Sequence, residues 1–155
     1  MEITVKIKEA EQLVGPLDEL LAIDNLPLDI SYRAGKIYRL MKEDLEEYQT
    51  RVNEWIKKLG AEVDLDEEVL TNKQILGRDL TEDESDQVRQ AWAGKWRVLP
   101  ENMEEFQSQV TVAEKEEIIM TGVKKPVINI NELKETITGK GKVIAALESI
   151  LEIID

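Results

Sequence analysis

Strict alternation opens the chain. In "EITVKIK", residues 2–8, Ile3, Val5 and Ile7 fall on one side and Thr4, Lys6 and Lys8 on the other. That is the period of a short half-buried strand, although a helix beginning near Glu2 also fits. The next stretch, "EAEQLVGPLDELLAI", repeats apolar residues at Leu13, Leu17, Leu20 and Leu21. This helical spacing is interrupted by Gly15-Pro16, which predicts a helix that restarts with Pro16 in its first turn or kinks there. Asn25-Leu26-Pro27 forms a break, and Asp29 or Ser31 is placed to accept hydrogen bonds from the free amides of a following helix. From there Ile30, Ala34, Ile37, Met41, Leu45, Tyr48, Val52, Trp55 and Leu59 recur in steps of three or four, and Gly60 supplies a stop. A helix over about 29–59 would be roughly 45 Å long, against a width of ~30 Å for so small a globular body. Part of its apolar stripe is therefore expected to need a partner helix, from this chain or another.

Beyond Gly60 the periodicity weakens. "AEVDLDEEVLTNKQILGRDL" mixes short apolar pieces with acidic turns and reads as irregular or as an extended arm over 61–80, with a short helix near Glu67–Leu76 as the regular piece it allows. Thr81 with Glu84 three residues later predicts a capping box, opening a helix that carries Val88, Ala91, Trp92 and Trp96. "PENMEEFQSQV" places Pro100 in a first helical turn and Met103, Phe106 and Val110 on one stripe. "EEIIM" and "PVINI" read as short strands around Gly122, forming a hairpin or pairing with residues 3–7. "GKGK" is a loop, and "VIAALESILEII" predicts a closing helix that is apolar on most of its circumference. The order describes a single mainly helical α+β domain over 1–155: a long amphipathic helix packed with shorter helices and a small sheet of short strands.

Composition narrows the chemistry. The 42% of hydrophobic residues can form a real core, but only 5% are aromatic, so that core rests on Leu, Ile, Val and Ala. With 33 acidic against 20 basic residues the net charge is −13, which repels phosphate backbones and argues against direct nucleic-acid binding. It suits a basic protein partner, or imitation of nucleic acid in a basic groove. The chain has no Cys and no His, which removes thiolate nucleophiles, disulfides, nitrogen or sulfur zinc ligands and the usual proton shuttle near neutral pH. "MEITVKIKEAEQLVG" lacks the pattern of a secretion signal, and no apolar run approaches the ~20 residues of a bilayer span. An intracellular protein away from membranes is expected.

The strand-helix opening, the "LPLDISYRAGKIYRLMKEDLEEY" and "LPENMEEFQSQV" helices, the "EEIIM" and "PVINI" strands and the "LESILEII" end together resemble a family of small acidic proteins encoded by tailed bacteriophages. The resemblance covers most of the chain and is weakest over 61–97. It implies a phage origin and a place in the host cytoplasm or on the virion, and it carries over no catalytic or binding residue.

Candidate sites follow from the charges. "DLDEE" at 64–68 and the run Asp79, Glu82, Asp83, Glu84, Asp86 offer oxygens to a hard cation, but they lack the EF-hand pattern and read better as helix starts that complement the dipole. Exposed carboxylates of this kind also lack the burial that an acid-base pair needs. "TGKGK" at 138–142 fails the phosphate-loop pattern and reads as a turn. No catalytic residue, cofactor or metal ligand is assigned. Arg33, Lys36 and Arg39 form a basic ridge on the opening turns of the long helix, where cations oppose the macrodipole and call for compensation. The favoured source is internal salt bridging to the acidic stretches 62–68 or 79–86, the alternatives being a partner's carboxylates or a bound phosphate. Trp92 and Trp96, four apart with Lys95 and Arg97 beside them, divide between a core stripe, favoured for Trp92, and an exposed anchor. Arg33, Lys36, Arg39 and Trp96 are therefore the expected partner-binding residues. The reading that results is a non-enzymatic phage accessory protein that binds another protein, as inhibitor of a host or defence factor or as an assembly partner, with self-association a further expectation. An acidic nucleic-acid mimic and a small-anion binder using the basic ridge are the alternatives.

Overall fold

The structure is a computed structural model in which residues 2–155 are described. They form two compact units where a single domain over 1–155 was expected. The first joins Met1–Gln49 to Thr111–Asp155, and the second is Thr50–Val110. The mainly helical α+β class holds in both. None of the described helices is long and apolar enough to cross a membrane.

In the first unit, the alternating opening becomes strand β1, Glu2–Lys6, with Ile3 and Val5 buried. Helix α1, Ile7–Leu21, follows without a break and buries Ile7, Ala10, Leu13, Leu17 and Leu20. Pro16 lies inside this single helix, so the chain does not restart there. Helix α2, Leu28–Leu59, turns Ile30, Ala34, Ile37 and Met41 into the same core. The chain then leaves for the second unit and returns along α5, Met103–Glu114, to strand β4, Glu117–Thr121. β4 runs antiparallel to β1 with Ile3 opposite Met120 and Val5 opposite Ile118, so four apolar side chains share the inner face. Strand β5, Val127–Asn129, does not close a hairpin with β4. It pairs in parallel with a strand at the end of the chain.

That pairing replaces the expected closing helix. The helix starting at "GK" is only α6, Gly141–Ala146, and after a run of turns Glu152–Ile154 becomes strand β6 beside β5. The physical reason is local: Ile153 and Ile154 are β-branched residues, which strands accommodate better than helices. The edge of β5 also has backbone groups free to pair, and the amide of Glu152 donates to Pro126 O at 2.9 Å. Val143, Ile144, Leu147, Ile150 and Leu151 still enter the core from this segment.

In the second unit, residues 61–80 are more regular than expected. Strand β2, Gly60–Glu62, pairs antiparallel with β3, Trp96–Val98, and between them lie α3, Leu65–Leu76, and α4, Glu82–Trp92. Asp64 starts α3 by accepting from the amides of Asp66 and Glu67, and Gly77, at φ 69°, ends it. The capping box at α4 is present in full: the Glu84 amide donates to Thr81 Oγ1 at 3.2 Å and the Thr81 amide to Glu84 Oε1 at 3.1 Å. Gly94, at φ 71°, then turns the chain out of α4, so Trp96 stands on a strand and does not share a helix face with Trp92. Gly60 ends α2 by necessity of space, since a Cβ there would fall on the carbonyl groups of Arg97 and Ile56.

All three tryptophans, Trp55, Trp92 and Trp96, belong to the second unit, so their fluorescence reports on it alone. Gly60→Ala should lower its stability by about 1–3 kcal/mol in urea denaturation followed at tryptophan, because backbone must shift to admit the methyl. Arg78, with help from the Thr81 amide, holds the Glu84 carboxyl down from 4.5 to about 2. Its contribution is complete above pH 4.5 and is lost as pH falls from there through 2. Glu84→Gln should therefore show a smaller loss of tryptophan-detected stability between pH 4.5 and 2 than the unsubstituted protein.

Candidate functional site

The basic ridge is shaped by what lies under it. With Ile30, Ala34 and Ile37 buried, the intervening positions of the first turns of α2 face outward: Tyr32 is 68% exposed, and Arg33 and Lys36 are half-buried. Opposite them runs the connection from β4 to β5. Val123 and Pro126 anchor it by burial, and Gly122 adopts φ 68° to make the turn. The carbonyls of this turn meet the ridge. Lys36 Nζ donates to Gly122 O at 2.8 Å, and Arg33 donates through one terminal nitrogen to Lys125 O at 3.3 Å.

Asp29, Tyr32, Arg33, Lys36, Gly122 and Lys124 together line a pocket of about 400 Å³. Arg33, Lys36 and Lys124 make no ion pair among the described residues. Within their own unit, Arg33 and Lys36 are oriented by backbone carbonyls, those of Lys125 and Gly122. Arg39, one turn further on, is exposed and does not line the pocket. Lys124, which has no periodic signal of its own, joins the site only through the turn; the consecutive lysines of "GVKKP" were the sole hint. Lys42, further along α2, donates to the Tyr38 hydroxyl at 3.2 Å, and that bond is the first cause of its raised pKa.

Four carboxylates of the acidic stretches pair with cations of the second unit. Asp66 pairs with Arg89 and Asp79 with Lys73, while Glu84 takes both terminal nitrogens of Arg78 at 2.9 Å. Glu68, the one buried charged residue among those described, is held by Arg97. Arg97 also lies 4.6 Å from the centroid of Trp92, with Lys95 at 5.8 Å. Trp92 is therefore a half-buried platform for two cations and no part of the core cluster, whereas Trp96 is 39% exposed. No group of three or more carboxylates among the described residues is arranged to hold a metal ion.

Two further features lie outside the pocket. In the first unit, burial and then the Glu114 carboxylate push the Glu11 carboxyl up, and burial, Glu11 and Glu114 push the Tyr48 hydroxyl up. In the second unit α3 leaves apolar side chains in solvent: Leu70 at 53%, Ile75 at 77% and Leu76 at 52%. No periodic pattern marked these three before the fold was known. No model of a protein family matches the chain, and no curated protein and no solved structure is similar to it.

The Lys36 contact is testable by itself. Lys36→Met keeps the aliphatic stem and removes the bond to Gly122 O, at a cost of about 0.5–1.5 kcal/mol. Amide hydrogen exchange at 122–126 should accelerate while that of β1 and α1 is unchanged.

Proposed function

We propose that the chain is a non-enzymatic accessory protein, of the kind tailed phages encode, that works by binding another protein through its second unit. The exposed Leu70, Ile75 and Leu76 of α3 carry this reading. In the second unit, Leu59 and Val98 are the buried hydrophobic residues among those described, so its helices hold little apolar surface out of water by themselves. Large apolar side chains left in solvent on a helix are the usual mark of a surface awaiting a partner. Trp96 and Met103, at 39% and 40% exposure, add the residue types that anchor interfaces.

Charge sets the chemistry of the partner. Acidic residues outnumber basic ones in 50–110, and Glu67, one turn before Leu70, is exposed and makes no ion pair among the described residues. The fitting partner is a host or virion protein with an apolar groove bordered by Lys or Arg. The neutralisation of Asp66, Glu68, Asp79 and Glu84 by cations of this chain places nucleic-acid mimicry behind this reading.

The test is a paired capture from host lysate with the unsubstituted protein and with Leu70→Asp/Ile75→Asp. Both positions are exposed, so the variant should keep its melting profile, and it should lose a protein that the unsubstituted chain retains. Identical capture by both would remove the proposal. A dimer seen by light scattering and abolished by the same substitutions would assign the face to a second copy instead.

A further inference from the structure

We infer that the pocket between the start of α2 and the β4–β5 turn is a binding site for the phosphate group of a small molecule, with Tyr32 stacking against a flat moiety attached to it. The walls supply three cations, Arg33, Lys36 and Lys124, against one carboxylate, Asp29. In a chain with 33 acidic and 20 basic residues, three neighbouring cations with no ion pair among the described residues are a conspicuous grouping, and the four ion pairs described in the second unit show the more usual fate of such charges here.

The donors are set in place before any ligand arrives. Lys36 uses one of its ammonium hydrogens on Gly122 O and has two left; the guanidinium of Arg33 uses one N–H on Lys125 O and has four left. The two carbonyls therefore hold the cations at the rim of the pocket without neutralising them. A phosphate, whose tetrahedral oxygens accept from several donors at once, matches a fork from Arg33 combined with point charges from Lys36 and Lys124. The start of the 32-residue α2 adds positive potential of the same sign. The net charge of −13 opposes an anion only at long range, where salt screens beyond about 8 Å, so the local cluster governs.

The volume and the lip indicate the rest of the ligand. About 400 Å³ falls within the ~300–1,000 Å³ of small-molecule sites and exceeds what a bare phosphate fills. Tyr32 lines the pocket and is 68% exposed as a residue, which suits stacking of its ring on a planar group such as a nucleobase. The class of ligand is a nucleoside monophosphate or a similar aromatic phosphate ester.

The test uses the full chain and three probes: inorganic phosphate, adenosine monophosphate and adenosine, each by calorimetry and by amide chemical shifts, with sodium chloride at equal ionic strength as the control. The expected order is monophosphate tighter than phosphate, with adenosine silent, and the shifts centred on 122–125 and the first turns of α2. Lys124 is exposed and its side chain makes no hydrogen bond or ion pair among the described residues, so Lys124→Ala should leave the melting profile unchanged and weaken both phosphate probes about tenfold. Tyr32→Ala should erase the advantage of the monophosphate over phosphate, and Asp29→Asn should tighten both. Phosphate effects no greater than those of chloride, or binding untouched by Lys124→Ala, would overturn the inference.

Discussion

The burial of one stripe of α2 underlies the rest of the first unit. Ile30, Ala34, Ile37 and Met41 are inaccessible or nearly so and share a core with β1, α1, β4, β5 and the C-terminal segment. Removing such side chains from water contributes on the order of 1.5–3 kcal/mol each for the larger ones. Once that face is inward, helical geometry leaves no choice for the positions between. Tyr32, Arg33 and Lys36 must point away from the core, toward whatever the chain places beside the helix. The β4–β5 turn, pinned by Val123 and Pro126, is what it places there, and the pocket follows from two buried anchors on either side of it.

The charges are organised differently in the two units. In the second, four cations pair with four carboxylates among the described residues, and the pairs also do structural service. Arg97 joins β3 to α3 through Glu68 and covers Trp92, and Arg78 braces the capping box of α4. Surface pairs stabilise little, but these help to fix the geometry of a unit with few buried hydrophobic groups. In the first unit, Arg33 and Lys36 are steadied by carbonyl oxygens, which orient a cation without cancelling its charge. A protein of net charge −13 thus keeps a local cluster of cations at the start of α2, different in kind from the apolar surface of α3.

The sequence-level reading was accurate where a single local rule decided the outcome. The stripe of α2, the alternation of β1 and the Thr81–Glu84 capping box each came through with their residues in place, because periodicity and capping depend on neighbours a few positions away. It failed where a distant segment competed. Residues 152–154 close an apolar pattern that reads as helix, yet the open edge of β5 captures them as a strand. Trp96 looked helical by spacing from Trp92, but Gly94 ends the helix between them. The basic ridge of Arg33 and Lys36 was legible along the chain, whereas its neighbourhood with Lys124 was not, since only the returning turn brings Lys124 beside it.

By itself, then, the sequence determined the class of the fold, the long helix with its buried and basic faces, the caps, and the exclusion of thiol and imidazole chemistry, all of which depend on residue type and short-range spacing. Tertiary structure decided the pairing of β1 with β4 and of β5 with β6, the division into two units, and the partners of every long-range charge. These depend on which segments close loops of many residues, and the entropy and packing of such closures leave no short-range trace along the chain.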